Sequence, residues 1–109
     1  MTVAIVTPVY EDQESFAELC RRFAAVEPAT GTRFHVVAVD DGSLGAPPKL
    51  SALTEAGVSG EILRLARNVG HQGAIAIGLA HAYQLPNITA CIVMDSDGED
   101  TPESIPELL

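Results

Sequence analysis

Asp95-Ser96-Asp97 sets two carboxylates two residues apart, directly after the apolar run Ala90 to Met94. While the backbone stays extended, side chains two apart leave the same face, so both acids can point one way. Carboxylates paired on one side are donors for a hard divalent cation. Mg²⁺ or Mn²⁺ held by one or two of them completes its shell with water and phosphate oxygens, which makes a diphosphate the natural partner in an acidic pocket. Asp40-Asp41-Gly42-Ser43 follows a second apolar run, Phe34 to Val39. Asp and Gly are ordinary turn formers, and Asp41 can also serve simply as an acceptor of backbone N–H bonds. With Asp95 and Asp97 present as well, the repulsion among these acids favours a bound cation.

Other chemistries find less support. Gly70, Gly73 and Gly78 do not make the GxGxxG fingerprint and no Gly-Lys-Ser/Thr occurs, so neither a dinucleotide site nor a P-loop is indicated. These glycines read as a tight turn and close helix-to-sheet packing. His71 is within reach of a phosphate but reads first as a solvated loop residue, and His35 and His81 have less claim. Ser43 and Ser96 lack an evident His partner for nucleophilic catalysis. Cys20 and Cys91 lie in no CxxC pair and have no His at zinc-ligand spacing, which fits a reducing, cytoplasmic setting.

The elements that position these residues follow from periodicity. Val3 to Thr7 is a short buried strand stopped by Pro8. Asp12 caps a helix whose apolar positions Phe16, Leu19, Cys20, Phe23 and Val26 fall at helical spacing, until Pro28 and Gly31 break it. Phe34 to Val39 is a second strand. A short helix opens at Pro47-Pro48 and runs through Leu50 and Leu53 to Glu55. Ile62 to Ala66 is a third strand, Ala74 to Tyr83 a helix of small residues, and Ala90 to Met94 a fourth strand. Such alternation predicts an α/β fold with a mainly parallel sheet of about four strands, helices on both faces and right-handed crossovers. In an open sheet of this kind ligands bind beyond the carboxyl ends of the strands, where every acidic cluster here falls. Pro102 to Leu109 begins like a helix but shows no cap or polar tail, so the chain is expected to be cut inside a larger protein.

A composition of 47% hydrophobic and 19% charged residues over 109 positions supports one compact domain rather than disorder. Its net charge of −9, with no Lys or Arg after Arg67, argues against a nucleic-acid groove. No apolar run approaches the length needed to span a bilayer.

Four motifs in order, Val6-Thr7-Pro8-Val9-Tyr10-Glu11-Asp12, Val39-Asp40-Asp41-Gly42-Ser43, Leu65-Ala66-Arg67-Asn68-Val69-Gly70 with Gly73 and Ala74, and Met94-Asp95-Ser96-Asp97 with Pro102-Glu103, span nearly the whole chain. Together they resemble the nucleotide-sugar-binding half of family 2 glycosyltransferases of the GT-A fold, especially the polyprenyl-phosphate (dolichol-phosphate mannose synthase-like) branch. The resemblance implies a Rossmann-like half-domain over residues 1–109 with sheet order 3-2-1-4. Pro8, Tyr10 and Asp12 would line the nucleoside pocket, Asp41 would bond the base, and Asp95 would contact ribose or the metal-bound diphosphate. Asp97 would be the principal ligand of Mg²⁺ or Mn²⁺. The branch commonly carries Asp-Leu-Gln after this motif, whereas Asp97-Gly98-Glu99-Asp100 stands here, with Glu99 in place to act as a further ligand.

The implied reaction moves a hexose, with inversion, from a GDP- or UDP-linked sugar to an acceptor such as a polyprenyl phosphate. A hydroxyl acceptor would need a base from beyond Leu109, and the whole protein would work at the inner face of the membrane. The 109-residue chain alone is then expected to hold the donor site only, and to self-associate through the open strand at residues 90–94. Three other readings compete. A receiver-like signalling domain also has an acidic Mg²⁺ pocket, but receivers place the acidic pair after the first strand and need a late lysine, while none follows Lys49. A nucleotidyltransferase would need a basic, Gly-rich loop where Tyr10-Glu11-Asp12 stands. A non-catalytic nucleotide- or Mg²⁺-binding module is the remaining alternative.

Overall fold

The computed structural model describes residues 1–96 and 101–108. In these the chain runs β1 (Thr2–Val9), α1 (Gln13–Thr30), β2 (Arg33–Asp40), α2 (Leu50–Ala56), β3 (Ser59–Arg64), α3 (His71–Ala82) and β4 (Ile88–Val93). A 3-10 turn at Pro102–Ser104 then leads into α4 (Ile105–Leu108). All strand pairs are parallel and the order is β3-β2-β1-β4. This is the predicted α/β half-domain. A receiver-type sheet would place the first strand between the second and third, so the order sets the signalling alternative aside.

Strand alternation divides the core between the two faces. Ile5 and Val9 of β1 join Phe34, Val36 and Ala38 of β2 beneath α1, whose buried residues are Phe16, Leu19, Cys20, Phe23 and Val26. Phe23 and Phe34 meet edge to face at 5.9 Å. Ala4, Val6 and Val37 point the other way, towards α3. There the helix buries Ala74, Gly78 and Ala82, a stripe at four-residue spacing. A Cβ on Gly78 would lie 2.5 Å from Val6 Cγ1 and 2.9 Å from Val39 Cγ2, so the small residues let α3 approach the sheet. Burial raises the Cys20 thiol to about 12, leaving it protonated and inert at neutral pH.

Several boundaries differ from those expected. β1 continues through Pro8 to Val9. The Val6 carbonyl faces β4 and that of Val9 faces β2, so by alternation the missing N–H of Pro8 falls on the β4 side, beyond the last β1–β4 pair, Val6 with Val93. Helix α1 likewise passes through Pro28 in its last turns and ends only at Gly31, in the left-handed region at φ 66°. β3 begins at Ser59 and stops at Arg64, while α3 starts three residues early, at His71. β4 is an edge strand among the described residues, the feature behind the expected self-association.

At the amino end of the sheet a polar chain ties α3 to β2 and β3. His35 Nδ1 lies 2.8 Å from Ser59 Oγ and its Nε2 2.7 Å from Glu61 Oε2, while His81 Nε2 lies 2.6 Å from Glu61 Oε1. Burial alone would raise the Glu61 carboxyl, but the hydrogen bonds and charge of the two histidines outweigh it and hold the group below its usual range. A carboxylate so lowered stabilises the fold above its unfolded value, and that contribution is lost as pH falls through the folded one. Glu61→Gln is therefore expected to destabilise by about 1 kcal/mol near neutrality, the partial exposure of the cluster limiting the effect. Denaturant melts of the two proteins should converge as pH is lowered to about 3. A gap unchanged with pH would contradict this role.

Candidate functional site

The four carboxyl-terminal strand ends open on one side of the sheet, and side chains stitch their loops together. Asp12 caps α1 by accepting from Ser15 N at 3.1 Å. Before it, Glu11 takes a positive φ of 51°, a conformation held in place by its contacts. Its N–H donates to Ser43 Oγ at 2.7 Å, and its carboxylate accepts from the N–H groups of Leu44, Gly45 and Ala46 at 3.1, 2.9 and 2.7 Å. The Ala46 N–H foremost, then those of Leu44 and Gly45, holds this carboxyl below its usual range. Gln13 Oε1 extends the tie by accepting from Lys49 N at 2.6 Å. The β1 and β2 loops thus form one unit.

The two acids ending β2 act differently. Asp40 is fully buried: Oδ1 accepts from Ser43 N at 2.9 Å, and Oδ2 lies 3.3 Å from Arg64 Nε without forming an aligned hydrogen bond. Asp41, also buried, reaches across to the loop between β3 and α3. Its Oδ1 accepts from Val69 N at 2.7 Å and its Oδ2 from Gly70 N at 3.2 Å, while Asn68 Nδ2 donates to its carbonyl at 3.3 Å. Each carboxylate oxygen retains a second lone pair for another donor. Gly42 packs beneath the same loop, at φ 80°, where a Cβ would lie 2.6 Å from both Arg67 C and Asn68 N.

Pro8 and Ser96 meet where β1 passes β4, Ser96 Oγ donating to the Pro8 carbonyl at 3.3 Å. This is the switch point of the sheet: the chain goes from β1 to β2 on one side and later returns to β4 on the other, the place beyond which open α/β sheets bind their ligands. Asp95 stands there half-buried, its Oδ1 3.1 Å from His71 Nε2. Tyr10, 54% exposed, stands at the rim.

Of the expected site residues, the fold brings Pro8, Asp41 and Asp95 to neighbouring strand ends, with Asp12 capping α1 and Tyr10 beside them. Asp97 and Glu99 lie outside the described residues. The described carboxylate of Asp95 is an oxygen donor of the kind a hard cation takes, and among the described residues no group of three His, Cys, Asp or Glu gathers to hold a metal by itself. His71, expected as a solvated loop residue, begins α3 and stays half-exposed, with its Nε2 facing Asp95. Glu11, Ser43 and Gly42 were visible only as turn composition, since their partners lie about thirty residues away. A separate cavity of about 810 Å³, lined by Glu27, Arg33, His35 and Glu61 among others, lies at the opposite end of the sheet, away from these acids.

Comparison with known proteins gives a consistent result. The sequence pattern described as Glycosyl transferase family 2 matches residues 4–109. The chain is 33% identical over 109 residues to an undecaprenyl-phosphate 4-deoxy-4-formamido-L-arabinose transferase of Salmonella paratyphi A, and 34% identical to the protein of that name from Enterobacter sp. (strain 638). Each alignment covers 98% of this chain but 32% of the relative, so the chain spans about a third of the length of these relatives. Its fold is similar to that of S. aureus TarS, with a TM-score of 0.71 to a crystal structure of residues 1–349 at 20% identity, covering 99% of this chain and 31% of that one.

Proposed function

The chain belongs to glycosyl transferase family 2, and from that premise we propose that it forms the donor-binding part of a metal-dependent inverting glycosyltransferase. The donor is a nucleoside diphosphate sugar and the acceptor a polyprenyl phosphate. The observation that carries this reading is the grouping of carboxylates at the carboxyl ends of neighbouring strands, where Asp41 at the end of β2 fixes the loop leading into α3 and Asp95 at the switch point faces His71. The names of the Salmonella and Enterobacter relatives support the lipid-phosphate acceptor. Those names carry an arabinose derivative, so the proposal extends to a glycosyl group rather than to the hexose the resemblance implied.

Pro8, Tyr10 and Asp12 border the nucleoside, and Asp41 offers its remaining lone pairs to the base while holding the Val69–Gly70 backbone. Asp95, Asp97 and Glu99 would hold Mg²⁺ or Mn²⁺, which when bound neutralises charge gathering on the departing diphosphate. An acceptor phosphate oxygen is already anionic and needs no general base, so none is required of residues 1–109. Acceptor recognition is assigned to sequence beyond them. Among the described residues no helix is long and apolar enough to cross a membrane, and the work of this part is assigned to the inner membrane face.

Radiolabelled transfer tests the proposal. A protein carrying this chain within the length of its relatives should move label from a UDP- or GDP-linked sugar into an organic-extractable polyprenyl phosphate, and Asp95→Asn should abolish the product. Equal transfer by that variant would overturn the donor-site assignment, and transfer by the purified 109-residue chain alone would overturn the assignment of acceptor recognition to sequence beyond it.

A further inference from the structure

We propose that His71 is a positioning residue that orients the Asp95 carboxylate towards the metal-bound diphosphate, an inference that rests on the donor-site reading above. The frame that presents His71 is fixed on several sides. It is the first residue of α3, next to Gly70 and Val69, whose N–H groups are held by Asp41. Ala74 N returns to the Gly70 carbonyl at 2.9 Å, closing the first helical turn around it. Beneath this loop Gly42 contacts the Arg67–Asn68 backbone.

Asp95, by contrast, has left the sheet. The β1–β4 pairing ends at Val93, and the Met94 N–H bond to the Val6 carbonyl at 3.0 Å precedes Asp95 in the chain. Its backbone is therefore no longer held by the strand ladder, and His71 Nε2 lies 3.1 Å from its Oδ1. The contact is an ion-pair distance rather than an aligned hydrogen bond, and an imidazole nitrogen beside one carboxylate oxygen favours the carboxylate orientation that keeps the two together. Partners of this kind behind a ligating carboxylate typically change metal affinity about 10- to 100-fold when removed. At 54% side-chain exposure, His71 contributes little to the core, so its loss leaves folding largely intact.

Calorimetric titration of the 109-residue chain with UDP and GDP, each with and without Mn²⁺, tests this in the parent, His71→Ala and His71→Gln, alongside thermal melts. The Ala variant should melt with the parent, keep the parent's metal-free affinity, and lose about 10-fold in affinity with Mn²⁺. Gln, whose amide can donate to the carboxylate, should restore most of that loss. Parent-like Mn²⁺ dependence in the Ala variant would overturn the inference, as would equal losses with and without metal, which would mark a merely structural role. Failure of the parent chain to gain affinity from Mn²⁺ would overturn the donor-site reading itself, and with it this inference; it is recognised without any variant.

Discussion

Replacing Gly42 by alanine is expected to lower stability by about 3 kcal/mol, combining the strain of a left-handed alanine with forced separation of two backbones. The added Cβ would fall 2.6 Å from Arg67 C and Asn68 N, neither of which is the movable end of a side chain. For a domain of this size the loss corresponds to a fall in melting temperature of roughly 15 °C. Gly57→Ala is the control: φ is a comparable 76°, but nothing lies within 4 Å of the new atom. That variant should lose only about 1 kcal/mol, the conformational cost alone. If the two alanines melt together, the close packing of the β2 turn against the β3–α3 loop does not carry the energy assigned to it.

The second large effect is expected at Asp41. Truncation to alanine removes the carboxylate that accepts from the Val69 and Gly70 N–H groups, leaving Val69 N–H without it and Gly70 N–H with its second acceptor, Asn68 Oδ1 at 3.2 Å, in a largely exposed loop. Hydrogen bonds to a charged acceptor contribute about 1.5 to 3 kcal/mol each, and the longer bond to Gly70 is the weaker, so a total near 3 kcal/mol is expected. Asp41→Asn should fall between, because one amide oxygen can still accept from Val69 N while the NH₂ group faces the Gly70 N–H. Amide hydrogen exchange at Val69 and Gly70 reads the effect where it occurs. Both should exchange faster in the alanine variant, whereas unchanged protection would show that the loop is held without Asp41. Nucleotide affinity should fall with the same substitution, since that loop presents His71 to Asp95.

These two residues also show how far the sequence could be read. β1, β2 and α1 were legible because each buries a continuous or helically spaced apolar set, from Val3 to Val6, Phe34 to Val39 and Phe16 to Val26. The sheet order and its acidic carboxyl ends followed from the alternation and from the four motifs. The start of α3 did not, since Gly70 offers no side-chain cap and Gly73 interrupts the apolar pattern; the loop before the helix is fixed instead by Asp41, about thirty residues earlier. β3 was misplaced for a related reason. Ser59, Gly60 and Glu61 are poor strand formers, and their pairing with His35, Val36 and Val37 supplies what local preference lacks. Pro8 and Pro28 read as stops, but the first lies where the ladder on its N–H side has ended and the second lies near the end of its helix.

The same limit applied to the site. A carboxylate after a strand marks a ligand end, but which acids brace loops and which face the ligand side depends on partners distant in sequence. Glu11 spends its oxygens on residues 44–46, and Asp40 binds the turn that follows it. Asp95 faces His71, and this contact distinguishes it among the described acids at the ligand end.

The central claim is that residues 1–109 contain a nucleoside diphosphate site that works through a cation. Calorimetric titration of the purified chain with UDP and GDP, with and without Mn²⁺, tests it most directly. Binding of one nucleotide that is strengthened by Mn²⁺, with that gain lost in both Asp95→Asn and Asp97→Asn, is the predicted result. A folded chain that binds neither nucleotide, or binds one equally well without Mn²⁺ and in both variants, would contradict it.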